Sequence, residues 1–301
     1  MNQIVECVPN FSDGRRLETV RRLSEAIESV ESAVVLGTHM DPDHNRSVIT
    51  FVASPDKVVE AAVRAVALAS KLIDLRQHTG QHPRLGATDV LPFVPVRGVT
   101  MEECVALAHE AGQRIARELS IPVYFYESAA LRPDRVNLEN VRRHGFEELR
   151  EQIGVDPERA PDVGEPRIHE TAGAIAVGAR PFLIAFNVNL RTNDISLARK
   201  IARAVRARHG GLPAVKALGF ELKSRSMVQV SMNLVNYETT GLTQVFEAVR
   251  KQAEFYGVEI AGTEIVGLVP EAAFDRDAAY APLLEKFSEA TILENLLKPR
   301  N

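Results

Sequence analysis

Two stretches of this chain run through the same succession of secondary-structure signals, and that doubling limits the fold more than any single motif does. In the first, an alternating, β-branched segment at residues 3–8 ends in the turn chemistry of Pro9, Asn10, Phe11, Ser12, Asp13 and Gly14. Amphipathic spacing predicts a helix over 17–30, with Ser12 or Asp13 as its cap, and strands follow at 33–38 and 47–53. Ser54, Pro55 and Asp56 open an alanine-rich helix that runs to about residue 75. A strand at 90–96, a helix over 101–119, a short strand at 123–126 and a helix over 138–152 complete this stretch. The second stretch reads as strand 182–190, helix 195–208, strands 215–222 and 227–233, helix 243–256 and strand 264–268.

Each stretch contains the order β-α-β-β-α-β. The expected fold class is α+β, with two similar βαββαβ-type subdomains, each a split βαβ sheet of antiparallel type with helices on one face. Residues 154–180, rich in proline and glycine and weak in periodicity, read as the join. The expected division is an N-terminal subdomain at 1–178 and a C-terminal subdomain at 179–301. If both sheets keep a bare face, the faces can oppose one another, and a cleft between them is the default ligand site.

Composition then removes several function classes. A length of 301 residues favours two medium domains, and 45% hydrophobic with 25% charged residues is ordinary for a globular protein. A net charge of −4 gives no basic footprint, so nucleic acid is not an expected partner. The chain opens directly on a strand-like segment with no leader signal, and no apolar run is long enough to span a bilayer. Cys7 and Cys104 are far apart and lack metal-type spacing, which suits reduced thiols and a cytoplasmic location.

The polar groups that stand out against this framework fall at strand ends. Asn10 closes the first strand with an amide that both donates and accepts. His39, Asp41, Asp43, His44, Asn45 and Arg46 crowd the interval between two predicted strands, a density typical of a binding loop. His78 and His82 lie on either side of Gly80, and Pro83 keeps His82 out of the helical region, so its imidazole is expected on extended backbone just before a strand. Arg84 and Asp89 follow, and in the split βαβ order these groups can converge at one sheet end. Two chemistries fit them. His39, Asp41, His44 and His82 supply the nitrogen and oxygen donors of a metallohydrolase. Without a metal, His82 moves protons, a carboxylate holds its ring, and Arg46 or Arg84 holds an anionic substrate. Asn187 and Asn189, two apart on a strand, share a face and are expected on the ligand side.

The segments VECVPNFSDGR at 5–15, NRSV at 45–48, HPRLGATDVLPFVPVRG at 82–98, GARPFLIAFNVNL at 178–190 and IVGLVPEAA at 265–273 resemble the formiminotransferase family, the glutamate formimidoyltransferases. That resemblance spans almost the whole chain. It implies two similar α/β subdomains with a folate site in the groove between them, and transfer of the formimino group from N-formimino-L-glutamate to tetrahydrofolate in histidine degradation. It also implies His82 as the catalytic histidine, tetrahydrofolate as co-substrate, no metal, and a homodimer. By position it puts the folate-contacting segment at Val163, Gly164, Glu165, Pro166, Arg167, Ile168, His169, Glu170, Thr171 and Ala172. Asn10, His39, Asp41, His44, Asn45, Arg46, Arg84, Asp89, Asn187 and Asn189 are the candidate substrate contacts. The HMDPDH version of the loop looks like that of bacterial single-activity members, whereas animal members place an aspartate at the position of His39. A chain of this length leaves no room for the cyclodeaminase domain fused to animal members, so transfer alone is expected. Formyl transfer between 5-formyltetrahydrofolate and glutamate, folate binding without turnover, and the metallohydrolase reading are the alternatives.

Overall fold

Pro9 has no N–H for a ladder, and it splits the opening strand into β1 (Ile4–Cys7) and β2 (Asn10–Phe11). The chain continues through α1 (Leu17–Glu28), β3 (Val34–Asp41), β4 (Arg46–Ala53), α2 (Pro55–Leu72), β5 (Thr88–Arg97), α3 (Met101–Leu119), β6 (Val123–Glu127), α4 (Leu138–Val141), α5 (Gly145–Gln152) and β7 (Ile175–Ala179). These elements, from a computed structural model that describes residues 3–80, 83–143, 145–285 and 287–297, belong to the first of two units, Met1–Arg180 and Pro181–Asn301.

Among the described residues, the strands of the first unit form one seven-stranded sheet. β1 and β2 together sit between β4 and β5, β3 flanks β4, and β7 and β6 extend the sheet beyond β5. From β3 to β5 neighbouring strands alternate in direction. Four expectations fail here. Residues 175–179, read as part of the join, are β7, which runs parallel between β5 and β6 with Val90 opposite Ala176 and Val123 opposite Ile175. The sheet is therefore mixed. All of β7 is buried, and a strand covered on both faces shows a continuous apolar run in place of the alternation that marks a half-exposed one. The helix predicted over 138–152 is two helices, and Gly145 opens the second at φ +71°. Those helices pack Val141 and Leu149 against Val90, Tyr124 and Tyr126, on the face away from α1, α2 and α3, so helices cover part of both faces.

The main core lies under α1, α2 and α3. Phe11, Phe51, Phe93 and Phe125 from the strands meet Leu23, Val66 and Ile115 from the helices, and each such side chain contributes roughly 1.5–3 kcal/mol by leaving water. α3 starts with a reciprocal cap, Glu103 N donating to Thr100 Oγ1 at 3.2 Å and Thr100 N to Glu103 Oε2 at 2.7 Å. α1 has no side-chain cap. Asp13 instead accepts from Arg15 N and Arg16 N in the preceding turn, and Ser12 Oγ donates to Gly86 O at 2.7 Å, so neither takes the capping role read from sequence.

On the opposite face Glu6 is 4% exposed, between Val52 of β4 and Val94 of β5. Burial pushes its carboxyl up to about 7, and the charge of Arg180 pulls the other way. Because the folded value lies above the ordinary one, the stability tied to this group is full below about pH 4.5 and is lost as pH rises through about 7. Wild-type protein should lose on the order of 2–3 kcal/mol between pH ~5 and ~8 that a Glu6→Gln variant keeps, read by urea unfolding at both values. Parallel pH profiles for the two proteins would remove Glu6 as the titrating group.

The second unit runs β8 (Ile184–Leu190), α6 (Ile195–Val205), β9 (Val215–Leu222), β10 (Met227–Leu234), α7 (Leu242–Phe255) and β11 (Ile260–Val266). Its four strands are antiparallel in the order β11-β8-β10-β9, the same order in which β5, the split strand, β4 and β3 lie in the first unit. β11 begins earlier than its sequence suggests, since Ile260 pairs with Leu190 directly after the Gly257 turn. Phe186, Phe246 and Tyr280 form the centre of this core, with Tyr280 edge-on to both phenylalanines at ring distances of 5.6 and 6.2 Å. No helix among the described residues is long and apolar enough to cross a membrane.

Candidate active site

The end of the first sheet at which β5 begins gathers four segments: the loop after β2, the β3–β4 hairpin, the stretch 73–87 that enters β5, and the stretch 163–174 that enters β7. His39 and Asp41, expected in a loop, lie on β3 itself, which pairs with β4 as far as Asp41 opposite Arg46. The turn is only residues 42–45, and Asn45 closes it at φ +49°, a region asparagine tolerates better than most residues with a side chain. Asn45 also joins the neighbouring segments. Its Oδ1 accepts from Gly14 N at 3.0 Å, its Nδ2 donates to Thr79 O at 2.9 Å, and its carbonyl accepts from His78 Nε2 at 2.9 Å. Glycine permits the approach, since a Cβ at Gly14 would lie 2.1 Å from Asp41 O and one at Gly80 would lie 2.3 Å from His44 O. Ser12 N donates to Ala87 O at 2.9 Å, Ala87 N to Ala172 O at 2.8 Å, and Leu75 N to Thr171 O at 2.9 Å, which ties the remaining segments together. His82, two residues beyond Gly80, lies outside the described residues.

Asn45→Ala removes two hydrogen bonds and leaves an alanine in the left-handed region. It should destabilise the protein by about 2–3 kcal/mol in urea unfolding, and Asn45→Gly should recover about 1 kcal/mol of that loss. Equal losses for the two variants would remove the backbone part of the argument.

The charges at this end are paired. Burial pushes the Asp41 carboxyl up, but His44 donates to it from its ring Nδ1 at 2.5 Å and from its backbone N at 2.8 Å. Those bonds, with the charges of His44 and His39, hold Asp41 below its ordinary value, so it is an anion at neutral pH. Arg46 Nη2 donates to Asn10 Oδ1, while Asn10 Nδ2 donates to Val8 O at 2.7 Å. Burial and the charge of Arg142 push the Arg46 guanidinium down to about 10, which leaves it charged at neutral pH. Burial likewise lowers His78, against its bond to the Asn45 carbonyl and with help from Arg84 and Arg15. A neutral His78 must carry its proton on Nε2 to reach Asn45 O, and its buried Nδ1 has no partner among the described residues. Arg84 donates to Glu147 Oε1 at 2.7 Å and to His78 O at 3.3 Å. Asp89 Oδ1 accepts from Leu85 N at 2.9 Å and its Oδ2 from Arg142 Nη2, so both oxygens hold the entry to β5. Among the described residues no group of three or more His, Cys, Asp or Glu side chains is placed to hold a metal ion.

The stretch Val163, Gly164, Glu165, Pro166, Arg167, Ile168, His169, Glu170, Thr171 and Ala172 is fixed at both ends and open between. Val163 O accepts from Val123 N at 3.0 Å, and His169 and Gly173 exchange backbone bonds at 3.1 and 2.9 Å. Residues 164–167 are exposed, with Gly164 at φ +98°. Ile168 reaches down to the cluster of Tyr124 and Tyr126, and Glu170 pairs with Arg76 at 2.5 Å.

In the second unit Asn187 and Asn189 point away from the Phe186 core, as their spacing predicts. Asn187 Nδ2 donates to Glu264 Oε2 at 3.2 Å and Asn189 Nδ2 to Glu285 Oε1 at 3.1 Å. Sequence reasoning missed Arg142, Glu147 and Gln229, whose roles depend on partners more than 35 positions away and leave no local pattern. His78 carried a visible signal in its spacing from His82.

Comparison with known proteins bears on this arrangement. The model of the N-terminal subdomain of the formiminotransferase domain matches residues 4–180, and the formiminotransferase domain model matches residues 185–295. The chain is 49% identical to a glutamate formimidoyltransferase of Thermoplasma acidophilum, over 98% of its own length and 97% of the relative's. It is 44% identical to the glutamate formimidoyltransferase of Streptococcus pyogenes, over 99% of both. Against the formimidoyltransferase-cyclodeaminase of Rattus norvegicus it is 43% identical over 93% of its length but spans only 53% of that protein. Two family models divide the chain almost where its two sheets do, and relatives of its own length align from end to end, so the chain belongs to the formiminotransferase family.

Proposed function

We infer that this protein transfers the formimino group from N-formimino-L-glutamate to N5 of tetrahydrofolate, giving 5-formiminotetrahydrofolate and L-glutamate. The observation that carries this reading is the near-complete alignment with relatives of equal length named glutamate formimidoyltransferase. N5 attacks the amidine carbon, the N5–carbon bond forms, and the carbon–nitrogen bond to glutamate breaks. The attacking nitrogen loses a proton and the leaving nitrogen gains one, so a single group of near-neutral pKa serves both steps. His82 takes that role, as the family resemblance implies.

The protonated formimino group is a cation, and Asp41, held as an anion by His44, is the carboxylate to orient it. Arg46 stays charged and faces the same sheet end, where it suits a substrate carboxylate. Arg84 competes for that task with its bond to Glu147. The exposed residues 164–167 lie where the family resemblance puts the folate contacts, and the cleft expected from sequence is part of this proposal. A cytoplasmic homodimer that needs no metal completes the reading.

The test is direct. Purified protein is given tetrahydrofolate and N-formimino-L-glutamate, and acid converts any 5-formimino product to the absorbing methenyl form. Product that depends on both substrates and survives chelator is the expected result. Folate binding without product would leave a binding protein, and loss of turnover with chelator would return the metal reading.

A further inference from the structure

Phe255, the last residue of α7, is 79% exposed, and Tyr256 beside it is 41% exposed, an edge-on pair with ring centres 5.0 Å apart. On the same helix Phe246, Arg250, Ala253 and Glu254, three or four residues apart, share one flank and line a groove of about 260 Å³. Phe246 and Ala253 are buried and form its floor, Ile260 and Leu283 form an apolar wall, and Ala279 stands exposed at its rim. Each residue turns a helix by about 100°, so Phe255 projects from the other flank, at the same height along the axis. An exposed phenyl ring and an open apolar groove both gain by being covered, and the groove has room for one such ring.

Ring on one flank and groove on the other make this surface complementary to itself. A two-fold axis parallel to α7 brings each copy's Phe255 to the other's groove, so both contacts form in one operation and the assembly closes at two chains. Charge agrees with that axis. On the groove side Arg250 is shared between Glu247 at 2.6 Å and Glu254 at 2.8 Å, which leaves one negative charge in excess. Lys251 lies one turn before Phe255 on the ring side, exposed and without an ion pair among the described residues. The same axis sets it against Glu247 and Glu254 of the second copy. α7 also packs on the Phe186 side of its sheet, away from Asn187 and Asn189, so a copy docked here leaves those amides uncovered.

We propose that this face of α7 is the surface through which two copies of the chain pair, with Phe255 of each seated in the groove of the other. The proposal rests on the homodimer of the functional reading above and names the residues that form it. Tyr256 braces the inserted ring from the edge. The aromatic contact is the anchor, and the exposed Lys251 and Glu254 set the register at its rim.

The experiment is sedimentation over a range of concentrations on wild type, Phe255→Ser and Ala279→Phe, with folding checked by circular dichroism. Phe255→Ser removes the ring, and Ala279→Phe fills the groove from its own rim. Wild type should sediment as a dimer. Each variant loses both symmetric contacts at ~10-fold apiece, so its dimer dissociation constant should rise about 100-fold. A mixture of the two variants carries the stricter test. Phe255→Ser keeps an open groove and Ala279→Phe keeps its ring, so the mixture regains one contact and should pair about tenfold more tightly than either variant alone. No recovery on mixing overturns the proposal, because a patch merely close to another interface gives no such complementation. Phe255→Ser that stays dimeric overturns it as well, and leaves the homodimer to some other surface. Wild type that is monomeric at every concentration overturns both the surface and the homodimer. Should Ala279→Phe fail to fold, Lys251→Glu should raise the dissociation constant about tenfold at low salt, and an unchanged constant counts against the surface. Failure of the formimino-transfer reading looks different: dimeric wild type would yield no product from the two substrates.

Discussion

His82→Ala should lower the rate of formimino transfer by ~100- to 10,000-fold while leaving folate affinity nearly unchanged. The reason is the proton count of the reaction. N5 must shed a proton as it bonds to the amidine carbon, and the glutamate nitrogen must gain one before it can leave. One imidazole can carry that proton between them, and two other histidines at the sheet end are committed to different partners. His78 is half-buried, held below its ordinary value, and committed through Nε2 to the Asn45 carbonyl. His44 is bound through Nδ1 to Asp41. The pH profile gives the second reading: the wild-type rate should depend on a group titrating near neutrality, and the residual rate of the variant should not. A variant that keeps wild-type turnover would move the acid–base role elsewhere in the site.

Asp89→Asn should destabilise the first unit by about 3–5 kcal/mol. The Asp89 side chain is 3% exposed and that of Arg142 is 15%, so removing the carboxylate charge strands a guanidinium with little water to turn to. The change also weakens the acceptor for Leu85 N, a backbone donor at the entry to β5. Urea unfolding reads the loss. A double variant, Asp89→Leu with Arg142→Met, separates the two parts: it should recover the share due to the stranded charge and keep the share due to Leu85 N. If Asp89→Asn unfolds like wild type, the pair contributes nothing and Asp89 is open to a role in binding.

Much of this protein could be read from its residues. The β-α-β-β-α-β order came from period and punctuation, because each strand that faces a core on one side alternates and each helix repeats its apolar positions every third or fourth residue. The family could be read for another reason: its motifs sit at strand ends, where the chain must present particular side chains and so keeps a recognisable local pattern. That Asn187 and Asn189 share one face of their strand, away from Phe186, followed from nothing more than the two-residue period of a strand.

Tertiary structure decided the rest. Residues 175–179 look like linker because a strand buried on both faces loses the alternation that identifies strands, and only its place between β5 and β6 reveals it. His39 and Asp41 look like loop residues because polar crowding resembles a loop, and only the pairing of β3 with β4 puts them on a strand. Arg142 reaching Asp89, Asn45 joining Gly14 to Thr79, and Gln229 donating to Asn189 have no sequence signature at all. A hydrogen bond between distant positions constrains each partner only through the fold that brings them together. Sequence alone therefore determined which elements form and which family they belong to, whereas the direction of each amide and the partner of each charge were decided by the packed structure.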